Sequence, residues 1–366
     1  MADSTNAAAG AQAYADLRVI FERAWRREIL RLARRLSLVP ALSPVSAALR
    51  AHLAVPGKRV RPLLLLGVWR AFSGLRRPPA GVVDLAVALE LVHTFILVHD
   101  DIVDRADSRR GEPTLHRRIE RALAVPPATG IAIALVAGDL AFNHAWEIAA
   151  NARFPAAHRT EILRAFASVV HETGAGELLE VANTARPLAS VRAPEIRRTY
   201  HAKTTRYTIE APFVLGAMLA RARPAAIRSL VAAARPLGFA FQLENDAHEV
   251  ARVAEDAAAT DDLSAGVKTL PLRLLYDSLG RAGRASLEQV LARPQHAGAR
   301  AKLGRLFRAS DLRAQIAREV GSSFDRAARV LARAPVSRRT REGLEIAFAF
   351  LHAHRHHSEA GAKTAR

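Results

Sequence analysis

Three aspartates that follow a long apolar stretch are the residues of this chain most suited to chemistry. Asp100, Asp101 and Asp104 end a segment whose apolar pattern begins before Leu89. On a helix, residues three and four apart share a face, so these carboxylates would be neighbours and would repel one another. A cation offsets such repulsion, and Mg²⁺ prefers oxygen ligands of this kind. The spacing therefore predicts a magnesium site at the end of a helix.

Two arginines follow the aspartates within ten residues. Arg109 and Arg110 cannot ligate a metal, but guanidinium groups bind phosphate oxygens in a bidentate manner. Mg²⁺ often shares its ligand shell with substrate phosphates, so carboxylates followed by arginines indicate a metal-bridged diphosphate site. An acidic helix end in solvent is the bland alternative. The ordered run that continues through Gly111, Pro113 and His116 makes that alternative the weaker one.

The composition narrows the function classes. Of 366 residues, 50% are apolar and 24% are charged, which is typical of a globular protein. The 54 basic and 35 acidic residues give a net charge of +19, which suits an anionic partner or reflects a genome rich in Ala and Arg codons. An aromatic content of 5% and the lack of a helix-turn-helix or zinc pattern argue against a nucleic-acid partner. Without cysteine, disulfides, thiol catalysis and Cys-ligated zinc are excluded.

The elements that must position these residues are predicted to be helices. Leu85, Leu89, Val92 and Ile96 repeat every three to four residues, and strict alternation is absent. Proline and glycine punctuate the chain at intervals that leave room for about a dozen helices. We expect one all-α domain over 14–354, a disordered tail over 1–13 and a basic tail over 355–366. No signal peptide is evident and no apolar run approaches about 18 residues, so no membrane span is predicted.

Several ordered motifs resemble the trans-isoprenyl diphosphate synthases, also called polyprenyl synthetases. The aspartates read DDIVD and continue as SRRGEPTLH, and PGKRVRP at 56–62 is similar to the family's GGKRxRP. Further matches are Gly138-Asp139, Lys203-Thr204 and FQLENDAHE at 241–249, so the resemblance spans roughly 50–275. It implies an all-α bundle around a central cavity with two facing aspartate-type motifs. It also implies a cytoplasmic homodimer.

The resemblance implies a role for each matched residue. The reaction would join isopentenyl diphosphate to an allylic diphosphate with Mg²⁺, three ions with substrate bound. The implied metal ligands are Asp100, Asp104, Asn245, Asp246 and Glu249, with Asp101 in support. Isopentenyl diphosphate would bind Lys58, Arg61, His93 and Arg110. The allylic diphosphate would bind Arg109, Lys203 and Thr204, with Gln242 near the reacting ends and Lys268 as a further substrate contact. The catalytic set would be Asp100, Asp101, Asp104, Arg109, Lys203 and Asp246.

The second half of the chain departs from the family pattern. Asn245 and Glu249 replace the first and last aspartates of FQxxDDxxD, so the ligand charge falls by one. Val267 stands where a lysine follows glycine in the family, and Lys268 comes one residue late. Glu177 and Glu180 stand for the glutamine and aspartate of a GQxxD pattern.

Three interpretations stay open. The chain could be an ordinary chain-elongating synthase, or a class I terpene cyclase or a prenyltransferase with another acceptor. It could also be a weakly active subunit that regulates a partner synthase. Lys58, Arg61 and Arg110 imply a second diphosphate substrate and favour the synthase, whereas Val267 is the best support for the regulatory subunit.

The residues before the first motif suggest a short product. Ile96 and Phe95 lie four and five positions before Asp100, where the family floors its chain pocket. A helix rises about 1.5 Å per residue, so both would lie a turn or more below the metal. A phenyl ring there should block a growing tail, which implies a geranylgeranyl or farnesyl diphosphate synthase with a C15–C20 product.

Overall fold

The computed structural model describes residues 14–109, 111–255, 266–293 and 298–355, and regular structure in these ranges is almost entirely helical. The all-α prediction is confirmed. The exception is a short antiparallel ribbon, β1 Ser108–Arg109 and β2 Glu112–Pro113, in which Arg109 pairs with Glu112. The predicted tails lie outside the described residues apart from Arg355, and the single domain over 14–354 stays a prediction.

Helices α1 to α7 are Ala15–Ser37, Ser43–Ala54, Val60–Ser73, Ala80–Val103, Leu115–Leu123, Pro127–Asn151 and Ala156–Thr184. Helices α8 to α15 are Ala193–Thr199, Ala211–Leu219, Pro224–Glu255, Leu270–Ser278, Arg281–Ala292, Ala299–Arg308, Leu312–Ala332 and Arg338–Arg355. Short 3₁₀ turns cover Pro40–Leu42 and Leu188–Ser190, and Tyr200–Glu210 forms a π-helix.

Proline marks helix starts where the sequence suggested. Pro127 and Pro224 begin α6 and α10, Pro194 lies in the first turn of α8, and Pro155 immediately precedes α7. The first helical turn has no use for the missing amide proton, and proline already has a helical φ. Pro236 lies inside α10, so there the packing of the helix overrides the local preference.

The chain divides into two compact units. The first unit takes the chain up to Ala165 together with Leu215–Ala222 and the segment from Arg338. Its central helix is α4, which packs against α1, α3 and α6. From Leu85 to Leu89 every side chain of α4 is fully buried, because a helix that is apolar on all sides must be enclosed.

Two helices of the first unit are long and apolar enough to cross a membrane by length and composition alone. In α4, 67% of the most apolar stretch is buried, whereas in α6 the share is 39%. The sequence expectation that no stretch reaches this length therefore needs correction, since a few polar residues within α4 do not interrupt its apolar character. Burial of α4 is what a core helix shows, and the absence of a span stays a prediction.

The second unit comprises Phe166–Val214 and Arg223–Ser337. Its central helix is α10, which packs against α13, α14 and the π-helix. The core includes Leu243, Leu270 and Phe307. A π-helix is rare and is often found at functional sites, and this one carries Lys203 and Thr204. The π-helix was not predicted from the sequence, since its apolar spacing is close to that of an α-helix.

Two glycines give the π-helix the space it needs. A Cβ atom on Gly176 of α7 would lie 2.8 Å from the carbonyl carbon of Ala202, and one on Gly238 of α10 would lie 2.8 Å from the Cα of Thr205. Both contacts are with backbone atoms, which cannot rotate away. The π-helix is therefore packed closely between α7 and α10 within the second unit.

Candidate active site

The first aspartate motif ends α4, and its three carboxylates differ in surroundings. Asp101 is only 1% exposed, and its Oδ1 accepts a hydrogen bond of 2.6 Å from Nε of Arg109. Asp100 is half-buried, and Asp104 is exposed at the end of the helix. The amide of Asp104 donates to the carbonyl of Asp100 at 2.8 Å, so the two outward carboxylates lie one helical turn apart. Asp101 thus holds Arg109, while Asp100 and Asp104 present oxygen donors.

The ribbon after α4 places Arg109. The chain turns through Gly111, whose φ of 76° is in the left-handed region that favours glycine. Thr114 is buried, and its hydroxyl donates to the carbonyl of Ala106 at 3.0 Å, which ties the far end of the loop to the end of α4. Arg109 is therefore fixed at both its backbone and its side chain. Arg110 lies outside the described residues.

The basic motif before α3 is anchored by a residue that the sequence analysis did not select. Arg59 has a φ of 54°, a conformation that costs about 1–2 kcal/mol for a residue with a side chain. Its buried guanidinium donates to Glu22 at 3.1 Å and to Glu90 at 2.9 Å, and it lies 4.8 Å from the ring centre of Trp25. Glu90 is an acidic residue within the apolar middle of α4, and in the sequence this feature was the available signal for a buried cation partner.

The predicted substrate ligands next to the buried Arg59 stay partly exposed. Lys58 and Arg61 are half-buried, on either side of Arg59. Arg18 of α1 donates to the carbonyl of Lys58 at 2.6 Å and thereby fixes the backbone of the motif. His93 is also half-buried, and it lines a cavity of about 50 Å³ together with Arg109. The structure thus brings two of the predicted substrate ligands together within the first unit.

Phe95, one of the two predicted chain-length residues, belongs to an aromatic cluster. Phe95 stacks on Phe142 of α6 with ring centres 4.7 Å apart, and its ring lies 4.4 Å from that of His99. Trp146 meets Phe142 edge to face at 6.1 Å. Phe95 and its neighbour Ile96 are half-buried. The phenyl ring of Phe95 is thus supported from behind by a second ring, which the sequence did not indicate.

In the second unit, Lys203 lies between two carboxylates of α7. Its Nζ is 2.7 Å from Oε2 of Glu177 and also pairs with Glu180. Thr204 is half-buried beside it. Glu210, at the end of the π-helix, is buried. Burial opposes its ionisation, but His201, Arg206 and Arg235 hold the pKa of the Glu210 carboxyl below its usual range. These ion pairs fix the π-helix that carries Lys203.

In the second motif, the aspartate at the second position is buried. Asp246 on α10 is 3% exposed and accepts hydrogen bonds from the hydroxyl of Tyr200 and, at 2.6 Å, from Nε2 of Gln242. The Tyr200 oxygen in turn accepts the amide proton of Leu270 at 2.9 Å. Burial raises the pKa of Asp246 to about 8, and the nearby charges of Glu180 and Glu249 also raise it. Tyr200 is a site residue that the sequence analysis missed, because nothing local distinguishes it from a core tyrosine.

The other residues that depart from the family pattern differ in exposure and in contacts. Asn245 is exposed and Glu249 is half-buried, one turn apart on α10. Val267 is buried. The Nζ atom of Lys268 donates to the carbonyls of Gly266 at 2.6 Å and Thr184 at 3.2 Å, and burial lowers its pKa. The ammonium of Lys268 is thus held by backbone in the structure.

The donor sets suit a hard divalent cation. Asp100 and Asp104 offer carboxylate oxygens at the end of α4, and in the second motif the pKa of Asp246 is raised chiefly by burial and further by the charges of Glu180 and Glu249. Over the described ranges, no three His, Asp or Glu side chains meet as a complete metal site. An ion bound at either motif would complete its shell with water or with phosphate oxygens. The individual metal ligands stay predictions.

A family model described as polyprenyl synthetase matches residues 43–307. The chain belongs to this family. The resemblance found in the sequence is therefore confirmed, and family membership makes the chain a prenyltransferase. Both aspartate motifs and the basic motif lie within the matched range.

Relatives and solved structures agree with this assignment. A farnesyl diphosphate synthase of Geobacillus stearothermophilus is 30% identical over 222 residues, which cover 59% of this chain and 69% of that protein. The chloroplastic geranylgeranyl pyrophosphate synthase 9 of Arabidopsis thaliana is 30% identical over 248 residues, 64% of each protein. The chain is also similar to the crystal structure of a Corynebacterium glutamicum geranylgeranyl pyrophosphate synthase complexed with isoprenyl diphosphate and magnesium. Its TM-score is 0.79 at 25% identity, with 92% of this chain and 98% of that chain covered.

Proposed function

We propose that the chain joins isopentenyl diphosphate head to tail with an allylic diphosphate, in a Mg²⁺-dependent reaction that gives a C15–C20 prenyl diphosphate. The observation that carries the proposal is the set of groups in the first unit. It combines an outward aspartate pair, an arginine held by Asp101 and a basic motif anchored by Arg59. Two separate sets of basic residues are what two diphosphate substrates require. The named activities of the relatives support the same reaction.

The allylic diphosphate must lose its diphosphate to leave an allyl cation. When bound, Mg²⁺ supplies Lewis-acid stabilisation of the charge that develops on the leaving group. By the family resemblance, the Mg²⁺ ligands would be Asp100 and Asp104 in the first motif, and Asn245, Asp246 and Glu249 in the second. Arg109 would donate to the same phosphate oxygens from an orientation set by Asp101, and Lys203 would add a positive charge with Thr204 beside it. Because these positive charges are already in place when the allylic diphosphate ionises, the protein does not have to reorganise during that step.

The acceptor would be held by a different set of residues. Lys58, Arg61, His93 and Arg110 would bind the diphosphate of isopentenyl diphosphate, so that its double bond attacks the allyl cation. Gln242 would lie near the reacting carbons, and Lys268 would reach the substrate only by leaving its backbone partners. The released diphosphate then accepts a proton from the carbon next to the new cation, and the electron pair of that C–H bond forms the double bond of the product. Apolar walls would shield the cation from water, and Phe95 and Ile96 would form the floor of the pocket for the prenyl tail.

Three finer features belong to the same proposal. We infer three Mg²⁺ ions with substrate bound, a homodimer and a cytoplasmic location, each supported by the family resemblance of the sequence. The number of ions is measurable by isothermal titration with Mg²⁺ in the presence of a non-hydrolysable diphosphate. The oligomeric state is measurable by sedimentation equilibrium.

A product assay tests the reaction. The purified protein with Mg²⁺ is incubated with dimethylallyl, geranyl or farnesyl diphosphate, each with and without isopentenyl diphosphate. Products are identified by mass spectrometry before and after phosphatase treatment. We expect a longer prenyl diphosphate that requires isopentenyl diphosphate. A hydrocarbon or alcohol formed without it would instead identify a terpene cyclase, and a lack of turnover with every donor would favour the regulatory subunit or another acceptor.

Product length tests the aromatic cluster. Phe95→Ala is expected to lengthen the product, because it removes the ring that ends the pocket. Phe142 stands directly behind Phe95, so the double variant Phe95→Ala/Phe142→Ala should lengthen it further. Phe95→Tyr keeps the ring and serves as the matched control. An unchanged product length in both alanine variants would remove Phe95 as the floor.

A further inference from the structure

The turn between α1 and α2 exposes a continuous run of apolar side chains. Leu38 is 81% exposed, Val39 51% and Leu42 38%, and Pro40 and Ala41 between them are also exposed. This run, Leu38–Leu42, is called the α1–α2 corner here. Single exposed leucines are ordinary on a protein surface, but a contiguous apolar patch commonly marks an interaction site.

The corner is held rigidly. The hydroxyl of Ser37 donates to that of Ser46 at 3.0 Å, and Ser46, which is buried, donates to the carbonyl of Ala33 at 2.8 Å. The amide of Leu42 donates to the carbonyl of Val39 at 2.9 Å, which closes a 3₁₀ turn. The apolar side chains therefore project from a fixed backbone, and their exposure is a property of the folded chain.

Basic residues surround the corner. Arg31, Arg34 and Arg35 occupy the last two turns of α1, and all three are exposed. Glu147 of α6 pairs with Arg35 and, at 3.5 Å, with Arg31. Arg31 also lies 3.8 Å from Glu28, so these three arginines face two carboxylates and leave a local excess of one positive charge. Further along the same face of α1, Arg23, Arg26 and Leu30 are exposed as well.

We propose that the α1–α2 corner docks the protein on an anionic lipid bilayer. Leu38, Val39 and Leu42 enter the headgroup region, and the arginines at the end of α1 contact the lipid phosphates. Apolar side chains flanked by basic ones are the combination that binds an interface, since each part alone binds weakly. The +19 net charge of the chain favours the same approach. Docking would bring the enzyme to the phase into which its apolar product partitions.

A nucleic acid fits this surface less well. The arginines would suit its phosphates, but five outward apolar residues without an aromatic ring offer nothing on which a base can stack. A bilayer can bind both the apolar run and the arginines, because the apolar side chains are buried in it while the charges stay at headgroup level.

Co-sedimentation of the full chain with vesicles tests the proposal. Phosphatidylcholine vesicles are compared with vesicles that also contain phosphatidylglycerol, over a range of salt concentrations. We expect binding to the anionic vesicles that weakens as salt rises, since the Debye length shortens. Lack of binding to anionic vesicles at low salt would overturn the proposal.

Three variants locate the binding surface. Leu38→Ser/Val39→Ser should lower the partition coefficient about tenfold, and Arg34→Gln about fivefold. Leu75→Ser is the matched control, because Leu75 is 57% exposed and is also followed by two arginines, yet lies outside the corner. Prenyl transfer without vesicles should be unchanged in all three, which separates this proposal from the proposed function. Equal loss in the control, or binding of duplex DNA that the double variant weakens as strongly, would refute a lipid surface at the corner.

Discussion

The two aspartate motifs belong to different units of the chain and bury the same member of their pattern. In the first, Asp101 is buried and holds Arg109, while Asp100 and Asp104 are more exposed. In the second, Asp246 is buried and holds Tyr200 and Gln242, while Asn245 and Glu249 are more exposed. Both outward pairs are four residues apart and therefore share a helix face.

The difference between the motifs lies in the outward pair. Asp100 and Asp104 carry two negative charges, whereas Asn245 and Glu249 carry one. The buried member is an aspartate in both motifs, because the packing and the hydrogen bonds around it require a carboxylate. The comparison teaches that the departure from the family pattern falls on the pair proposed to bind metal, and leaves the internal support of the motif in place. Five measurements would break or sharpen this comparison.

The largest effect is expected at the outward pair of the first motif. Asp100→Asn or Asp104→Asn should lower kcat about a thousandfold, because each removes a charged donor that acts on the leaving diphosphate. The measurement is steady-state prenyl transfer at saturating Mg²⁺. Asp107→Asn is the control, since Asp107 is an exposed acid in the following loop that pairs with Arg117. A similar loss in the control would show that the effect is general.

The hydrogen bond between Tyr200 and Asp246, the buried member of the second motif, should contribute to the free energy of unfolding. Tyr200→Phe leaves the amide of Leu270 and an oxygen of Asp246 without their hydroxyl partner, and we expect the free energy of unfolding to fall by about 2 kcal/mol. Denaturant unfolding measures it. Tyr276→Phe, which changes a half-buried ring, is the matched control. Equal stability of Tyr200→Phe and the parent would show that Asp246 does not depend on this contact.

The buried member of the first motif should act through Arg109. Asp101→Asn keeps the shape but weakens the acceptor for Nε of Arg109, so the guanidinium loses its fixed orientation. We expect KM for the allylic diphosphate to rise about tenfold, with a smaller change in kcat. An equal rise in KM for isopentenyl diphosphate would contradict this specific role.

Restoring the missing charge should strengthen the second motif. Asn245→Asp is expected to lower the Mg²⁺ concentration for half-maximal activity about threefold, because an anionic donor replaces a neutral one. Asn151→Asp at the end of α6 adds the same charge away from both motifs and should have no effect. An unchanged Mg²⁺ requirement in Asn245→Asp would show that position 245 does not contact the metal.

The last measurement is the pH dependence of stability. The pKa of Asp246 is raised to about 8 in the folded chain from an unfolded value near 3.8, so the folded state keeps its proton over this interval and the unfolded state does not. This contribution to stability is complete below about pH 4 and is lost as pH rises towards 8. In metal-free protein we expect the Tm to fall by a few degrees over that range. Asp246→Asn should flatten the profile, and an identical slope in that variant would assign the pH dependence to another group.

Much of the fold was predictable from local pattern. The three-to-four spacing around Leu89 and the prolines at 127, 194 and 224 placed helices and their starts, because both signals act within a few residues. The π-helix at Tyr200–Glu210 was not predictable. It depends on Gly176 and Gly238, which lie far away in sequence, and on ion pairs that form only when α7 and α10 pack against it.

By itself, the sequence determined the family, the helical class and the chemistry of the two motifs, because residue type and spacing along one helix suffice to bring carboxylates together. Only the tertiary structure decided which carboxylate faces inward. Asp101 and Asp246 are buried because Arg109 and Tyr200, from other segments, lie against them. The tertiary structure likewise made Arg59 an anchor and left the α1–α2 corner exposed. Burial and hydrogen bonding depend on packing between distant segments, and no local pattern contains that information.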